Sequence, residues 1–375
     1  MNSPQTSFDL QQFVDSINKT GFVLENRVVS ILRKHGWAVL NNRHYVDDTS
    51  AVVREIDIIA YKTAKLEFVT VYTSLVLSCK KSEGNSWALL SRDLPAADVN
   101  RNRQPLHAWS NDVPISYMLA ADEFAPNFYS TTCVAGTGPL FRPKDYELFA
   151  FQEMAESSGA VRNDKAIYQA VTSLMKAQAY EVQSLPRRKK APSVYQFNLV
   201  SVLDGQMVRL HFDELAVTAN RTHDEIHCAQ YIVNGATTDA NVRFMTAQSF
   251  EDNLVEYDAL HVSNLALFKS SRESFYFRIE LDGKRLGVFL NEFRTDVCWA
   301  IDTCLRKMKR PPTKLEEICL EWQTQKQLLQ VSLFADVDSI TALNSDEFAK
   351  RVVASSLKKR YKFAGRFEFS EDIPF

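Results

Sequence analysis

Three charged residues sit where charges are costly, and together they could do phosphate chemistry. Asp57 lies between Ile56 and Ile58 in REIDIIAYK (54–62), a segment that reads as a strand. Arg54, Ile56, Ile58 and Ala60 alternate onto one face of it, and Glu55, Asp57, Ile59 and Tyr61 onto the other. A carboxylate in such surroundings must be paired or hold a cation. Lys80 ends TVYTSLVLSCKK (70–81), the next apolar strand, and by alternation shares a face with Ser78 and Val76. Glu25 lies on a helix predicted over TGFVLENRVVSILRKH (20–35), where Phe22, Val29 and Leu32 turn it towards packed surface. Phosphodiester hydrolysis uses this set: carboxylates hold a hard cation that polarises phosphate and acidifies a bound water. A lysine then positions that water or neutralises charge in the transition state. The plainer readings are a structural Asp57 paired with Arg54 or Lys62, and Lys80 and Lys81 as a solvated strand end.

The run GFVLE…REIDIIA…LSCKKS…W resembles the PD-(D/E)xK nuclease superfamily, above all its restriction-endonuclease-like and Mrr-like branches. The resemblance covers roughly residues 15–205. It implies an α/β (α+β) fold with a mixed sheet flanked by helices, and a metal-dependent endonuclease using Mg²⁺ or Mn²⁺. Carried over, the catalytic roles fall on Asp57, Lys80 and Glu25, and the metal ligands on Asp57, Glu25 and the main-chain carbonyl of Cys79. The family pattern has Asp or Glu where this chain has Ser78, and a hydroxyl is a poorer ligand for a hard cation. Glu83, Asp93, Asp98, Asp164 and Glu55 are the acids that could replace it. The alternative is a nuclease-fold protein without catalysis, which binds nucleic acid, senses it or acts as a structural subunit. The resemblance also implies nucleic acid as partner, DNA rather than RNA, and a setting in restriction or anti-phage defence.

Elements must hold these residues in place. A strand is predicted over 37–46, and another over WALLS (87–91). Residues 93–160 read as an insertion. A helix follows over 162–183, with Ile167, Val171, Leu174 and Gln178 on one stripe. Next come a strand at 194–205 ending in an Asp204-Gly205 turn, and a strand at 241–247. Ser249 to Asp252 looks like a capping box opening a helix to about residue 265. SFYFRIELDGKRLGVFL alternates around Asp282-Gly283 and predicts a hairpin. Helices are expected at 292–308 and 345–359. The expected organisation is therefore a nuclease-like domain over 1–265 and a small α+β domain over 266–375, the latter open to oligomer or partner contacts.

Other clusters invite weaker readings. Arg187, Arg188, Lys189 and Lys190, with Lys81, are the candidate nucleic-acid contacts, and each phosphate they neutralised would make affinity fall with salt. The tail SLKKRYKFAGRFEF alternates basic and aromatic residues and reads most simply as a strand with a buried aromatic face. His223, Glu225 and His227 could share a strand face and bind zinc, although a polar strand face is the simpler reading. Gly136-Thr137-Gly138 reads as a turn. The net charge of −2 excludes a uniformly basic nucleic-acid binder, so any such site must be local. Cys79, Cys133, Cys228, Cys298, Cys304 and Cys319 form no CxxC pair, which points to reduced thiols and a cytoplasmic protein. Without a long apolar run, no membrane partner is expected.

Overall fold

The computed structural model describes residues 10–137, 140 and 145–372; Gly138 of the expected glycine turn lies outside them. The chain divides into two compact units, one ending at Lys269 and one beginning at Ser270.

The first unit is built on one nine-stranded mixed sheet flanked by helices. Its strands are β1 (Ala38–Val46), β2 (Val53–Lys65), β3 (Thr70–Asp93), β4 (His107–Ser110), β5 (Tyr146–Ala155), β6 (Ser193–Phe212), β7 (Val217–Thr222), β8 (Asp224–Val233) and β9 (Ala236–Thr246). The spine is the parallel pair of long strands β3 and β6, from Thr70↔Ser193 to Arg92↔Phe212. Because both outrun an ordinary strand, each carries different neighbours along its length. The first part of β3 pairs with β2 and the last with β5. Along β6 the neighbours are β4, then β9, then β7.

This double use of two strands explains two differences from the sequence reading. WALLS is the continuation of β3, and Asp204-Gly205 is no turn. The ladder shifts there, from Lys81↔Asp204 to Ser86↔Gln206, so β3 bulges around Gly84 (φ +70°) while β6 runs straight through. A Cβ on Gly205 would stand 3.0 Å from the Ser82 carbonyl, so this glycine serves close backbone approach rather than reversal.

Each sheet face buries its own core. Leu75, Leu77 and Cys79 pack with Leu24, Val28 and Leu32 of the Phe22–Lys34 helix and with Phe250, Leu254 and Tyr257. Val76 lies on the other face with Ile167, Val171 and Leu174 of the Lys165–Arg188 helix. That helix outruns the expected 162–183 and takes Pro186, Arg187 and Arg188 into its last turn. The expected insertion holds β4, two short helices (Val113–Leu119 and Phe124–Thr132) and β5, and β5 is part of the sheet. The helix after β9 spans Ala247–Tyr276, well beyond residue 265. Thr246, not Ser249, caps it: the Ser249 amide donates to Thr246 Oγ1 at 3.3 Å.

The second unit has a small sheet of β10 (Cys319–Gln323), β11 (Leu328–Leu333) and β12 (Phe367–Glu371). The expected helices are present at Leu290–Lys307 and Glu347–Tyr361. The expected hairpin at 274–290 is absent. Asp282 instead accepts the Lys284 and Arg285 amides as the N-cap of a Gly283–Val288 helix. The buried positions there, Phe275, Ile279, Leu286, Phe289 and Phe293, follow helical rather than alternating spacing. An Asp-Gly pair suits a helix start as well as a hairpin. The tail likewise divides: SLKKRY finishes the Glu347–Tyr361 helix, and only Phe367–Glu371 forms a strand. Among the described residues no helix is long and apolar enough to cross a membrane.

Candidate active site at the fork of two strands

The β2–β3 ladder ends at Ile58↔Leu77, and the next residue of β2 is Asp57. The strands part here, and the Asp57 side chain takes the place of the lost ladder partner. Its Oδ2 accepts the Cys79 amide at 2.7 Å and faces the Ser78 hydroxyl at 3.3 Å. Lys80 Nζ stands 3.8 Å from the same oxygen. Asp57 and Lys80 keep 23% and 32% of their side-chain exposure, so the pair is reachable from solvent. The structure thus brings together the two residues that alternation put on adjacent strands. Neither plain alternative for Asp57 holds: Arg54 pairs with Asp47 at 2.9 Å, and Lys62 with Asp258 at 2.6 Å.

Glu25 sits in the first turn of the Phe22–Lys34 helix. Its carboxyl is held above the usual range, first by burial and then by the negative charges of Asp57 and Glu55, with Lys80 opposing them. Among the described residues nothing hydrogen-bonds to the Glu25 carboxylate or to Oδ1 of Asp57. The charges of Asp57, Glu55 and Lys80 are thus all felt at Glu25.

A small cavity opens against Asp57, lined by Glu55, Ser78 and Tyr45 and, from the Lys165–Arg188 helix, by Ser173, Leu174 and Ala177. Of the acids that could stand in for Ser78, only Glu55 reaches it. Glu83 is exposed and paired with Lys81 at 2.6 Å, and Asp93 is exposed beside His211. Asp98 caps a 3₁₀ turn, and Asp164 precedes its helix, two turns before the residues that line the cavity. Tyr45 and Ser173 were not singled out from the sequence. Only the apolar stripe of the 162–183 helix hinted that this face would meet the strand fork.

Asp57 and Glu25 are the carboxylates that a divalent cation at the fork would have to use. Among the described residues no group of three or more His, Cys, Asp or Glu draws together to hold a metal. Two carboxylates with spare oxygens suit a hard cation that keeps several waters and is completed by a substrate phosphate. Cys79, offered as a carbonyl ligand, has its side chain on the opposite face from Lys80, where burial pushes the thiol well up.

The remaining candidates differ in what they touch. Lys81 is turned inward, its amine donating to the Asn18 carbonyl at 2.8 Å and pairing with Glu83, so it is not a free phosphate contact. Arg188 pairs with Glu181 at 2.5 Å, and Lys189 lies over the Tyr72 ring, 4.5 Å from its centre. Arg187 and Lys190 are exposed. The zinc reading fails: buried Glu225 accepts from Tyr146, Arg209 and Thr222. His227 Nδ1 contacts the Leu148 carbonyl at 3.0 Å, and burial lowers its ring to about 4. Compared with known proteins, the chain matches no family model, and neither the curated proteins nor the solved structures give a significant match.

Proposed function

We propose that the first unit is a divalent-metal-dependent nuclease that hydrolyses phosphodiester bonds at the Asp57–Lys80 fork. The observation that carries this reading is the approach of Lys80 to within 3.8 Å of an aspartate that no arginine neutralises. Asp57 and Glu25 would hold the cation, with Glu55 the nearest further acid. Bound Mg²⁺ or Mn²⁺ would polarise the scissile phosphate and supply an acidified water. Asp57 is oriented for its part by the Cys79 amide, which fixes one oxygen and leaves the other open. Lys80 would place the attacking water or balance charge on the pentavalent phosphorus. The raised carboxyl of Glu25 retains a proton to higher pH than an ordinary glutamate, and a cation beside it would drive that proton off. The preference for DNA, and for a role in restriction or anti-phage defence, rests on the family resemblance alone.

Ser78 supports a second reading, a nuclease fold that binds nucleic acid without cutting it. Ser78 is 4% exposed, and its hydroxyl donates to Asp57 where a second carboxylate would serve a metal. Titration of Mg²⁺ and Mn²⁺ with plasmid and single-stranded substrates separates the two. Cleavage that disappears in Asp57→Ala and Lys80→Ala supports the enzyme. Binding without cleavage, unaltered by metal and by either substitution, supports the second reading.

A further inference from the structure

Four aromatic side chains from four adjacent strands form a row across one end of the sheet. Tyr61 of β2 meets the Tyr72 ring of β3 edge-on at 5.8 Å. Tyr72 stacks on Tyr195 of β6 at 4.1 Å with the rings 5° from parallel, and Trp109 of β4 lies 6.2 Å further on. The two ends of the row, Tyr61 and Trp109, are partly exposed, while Tyr195 is buried. Tyr72 has the same parity on β3 as Val76, Ser78 and Lys80, so the row belongs to the sheet face that carries Lys80.

Cations crowd this end. The amine of Lys189 sits over both central rings, 4.5 Å from the centre of Tyr72 and 5.6 Å from that of Tyr195. Arg187, two residues before it, and Lys190, next in the chain, are exposed, the Lys190 amine reaching back to the Pro186 carbonyl at 3.3 Å. The segment that carries these charges is not a loose solvated loop. Asn111 donates from Nδ2 to the carbonyls of Lys189 and Ala191, and its Oδ1 accepts the Ser193 amide at 2.7 Å. A basic corner tied down by Asn111 beside partly exposed aromatic side chains matches the chemistry of a strand with unpaired bases: phosphates for the cations and base faces for the rings.

We propose that this corner, with Trp109, Tyr61, Arg187 and Lys190 as its accessible groups, binds the single-stranded part of a nucleic acid. Tyr72 and Lys80 are separated along β3 by roughly 26 Å at ~3.3 Å per residue. The corner would therefore engage the strand away from the reacting phosphate. This rests on the reading of the unit as a nucleic-acid protein, but not on its cutting.

The test uses the full chain, metal-free, with a fluorescently labelled oligothymidylate strand followed by anisotropy over a salt series. Arg187→Ala with Lys190→Ala should flatten the dependence of log affinity on log salt by about 0.7 per lost phosphate contact. Trp109→Ala should weaken binding on the order of 5-fold or more, the scale of one lost base stack. Trp109→Phe should recover most of that loss. The double variant changes only exposed side chains, so it keeps the test valid if Trp109→Ala unfolds. Wild-type affinity and salt slope in the double variant would overturn the proposal, as would a duplex bound more tightly than the single strand. Plasmid cleavage is read in parallel. Its absence beside intact strand binding refutes the enzyme and leaves this surface standing, and cleavage beside unaffected binding refutes the surface alone.

Discussion

Asp57 makes two kinds of contribution that two substitutions can separate. Its Oδ2 accepts the amide of Cys79 at 2.7 Å, a bond that closes the gap left where β2 departs from β3. Its charge faces Lys80 and presses on Glu25. Asp57→Asn keeps an acceptor of the same shape and removes only the charge. Going from a charge-assisted to a neutral hydrogen bond costs about 1 kcal/mol. Relief of the repulsion on Glu25 works against that loss, so the net change should stay within about 1 kcal/mol. Asp57→Ala leaves the amide of Cys79, itself 5% exposed, with no acceptor, and should cost about 1–3 kcal/mol. Urea denaturation measures both. Metal-dependent plasmid cleavage should show the other pattern, with both variants losing on the order of 10²-fold or more. An Asn variant that cleaves within a few-fold of wild type removes Asp57 from the chemistry. An Asn variant as unstable as the Ala variant makes the charge structural and refutes the reasoning.

Ser78→Asp puts a carboxylate against Asp57; it should lower the metal-free melting temperature, and Mg²⁺ should raise that temperature more than in wild type, with equal responses counting against a cation site. Glu25→Gln concerns a carboxyl whose folded pKa is raised, so the native state holds its proton longer and wild-type stability falls as pH rises from about 4.5 through the folded pKa. The variant should lack that fall and be more stable at neutral pH by up to about 1 kcal/mol, after solvent screening of this half-buried group; an unchanged pH profile would refute it. Lys176 is buried between Asp47 and Asp48, at 3.1 and 3.0 Å. Lys176→Ala should cost about 3 kcal/mol in urea denaturation, the low end for a broken buried pair because Arg54 still reaches Asp47; a loss below about 1 kcal/mol would show the network to be dispensable. Asp47 is held well below the usual carboxylate range, first by the Ser50 amide and, against the cost of burial, also by Lys176. Its stabilisation is therefore present at neutral pH and lost as pH falls below about 3.8, and acid unfolding of the Lys176→Ala variant should begin at higher pH.

Local pattern alone carried much of this molecule. The alternation of REIDIIAYK and TVYTSLVLSCKK placed Asp57 and Lys80 on neighbouring strands, and the stripe Ile167, Val171, Leu174 marked the helix that lines the cavity beside Asp57. Both are short-range signals, because a buried face imposes its period on the residues that form it. The dipeptide Asp-Gly misled twice, at Asp204-Gly205 and at Asp282-Gly283. A turn, a close strand approach and a helix cap use the same residue types, and only distant partners choose among them: the Ser82 carbonyl in one case, the buried Phe275 and Phe289 in the other. The fate of the individual charges was also beyond the sequence. That Arg54 turns to Asp47 and Lys62 to Asp258, leaving Asp57 to Lys80, depends on side chains brought together from separate elements. The residues at 54–62 and 70–81 determined that an acid and an amine would lie one strand apart. The parting of β2 from β3 decided that they would face each other with an oxygen to spare, because a strand end, unlike a strand, is set by what the sheet packs against.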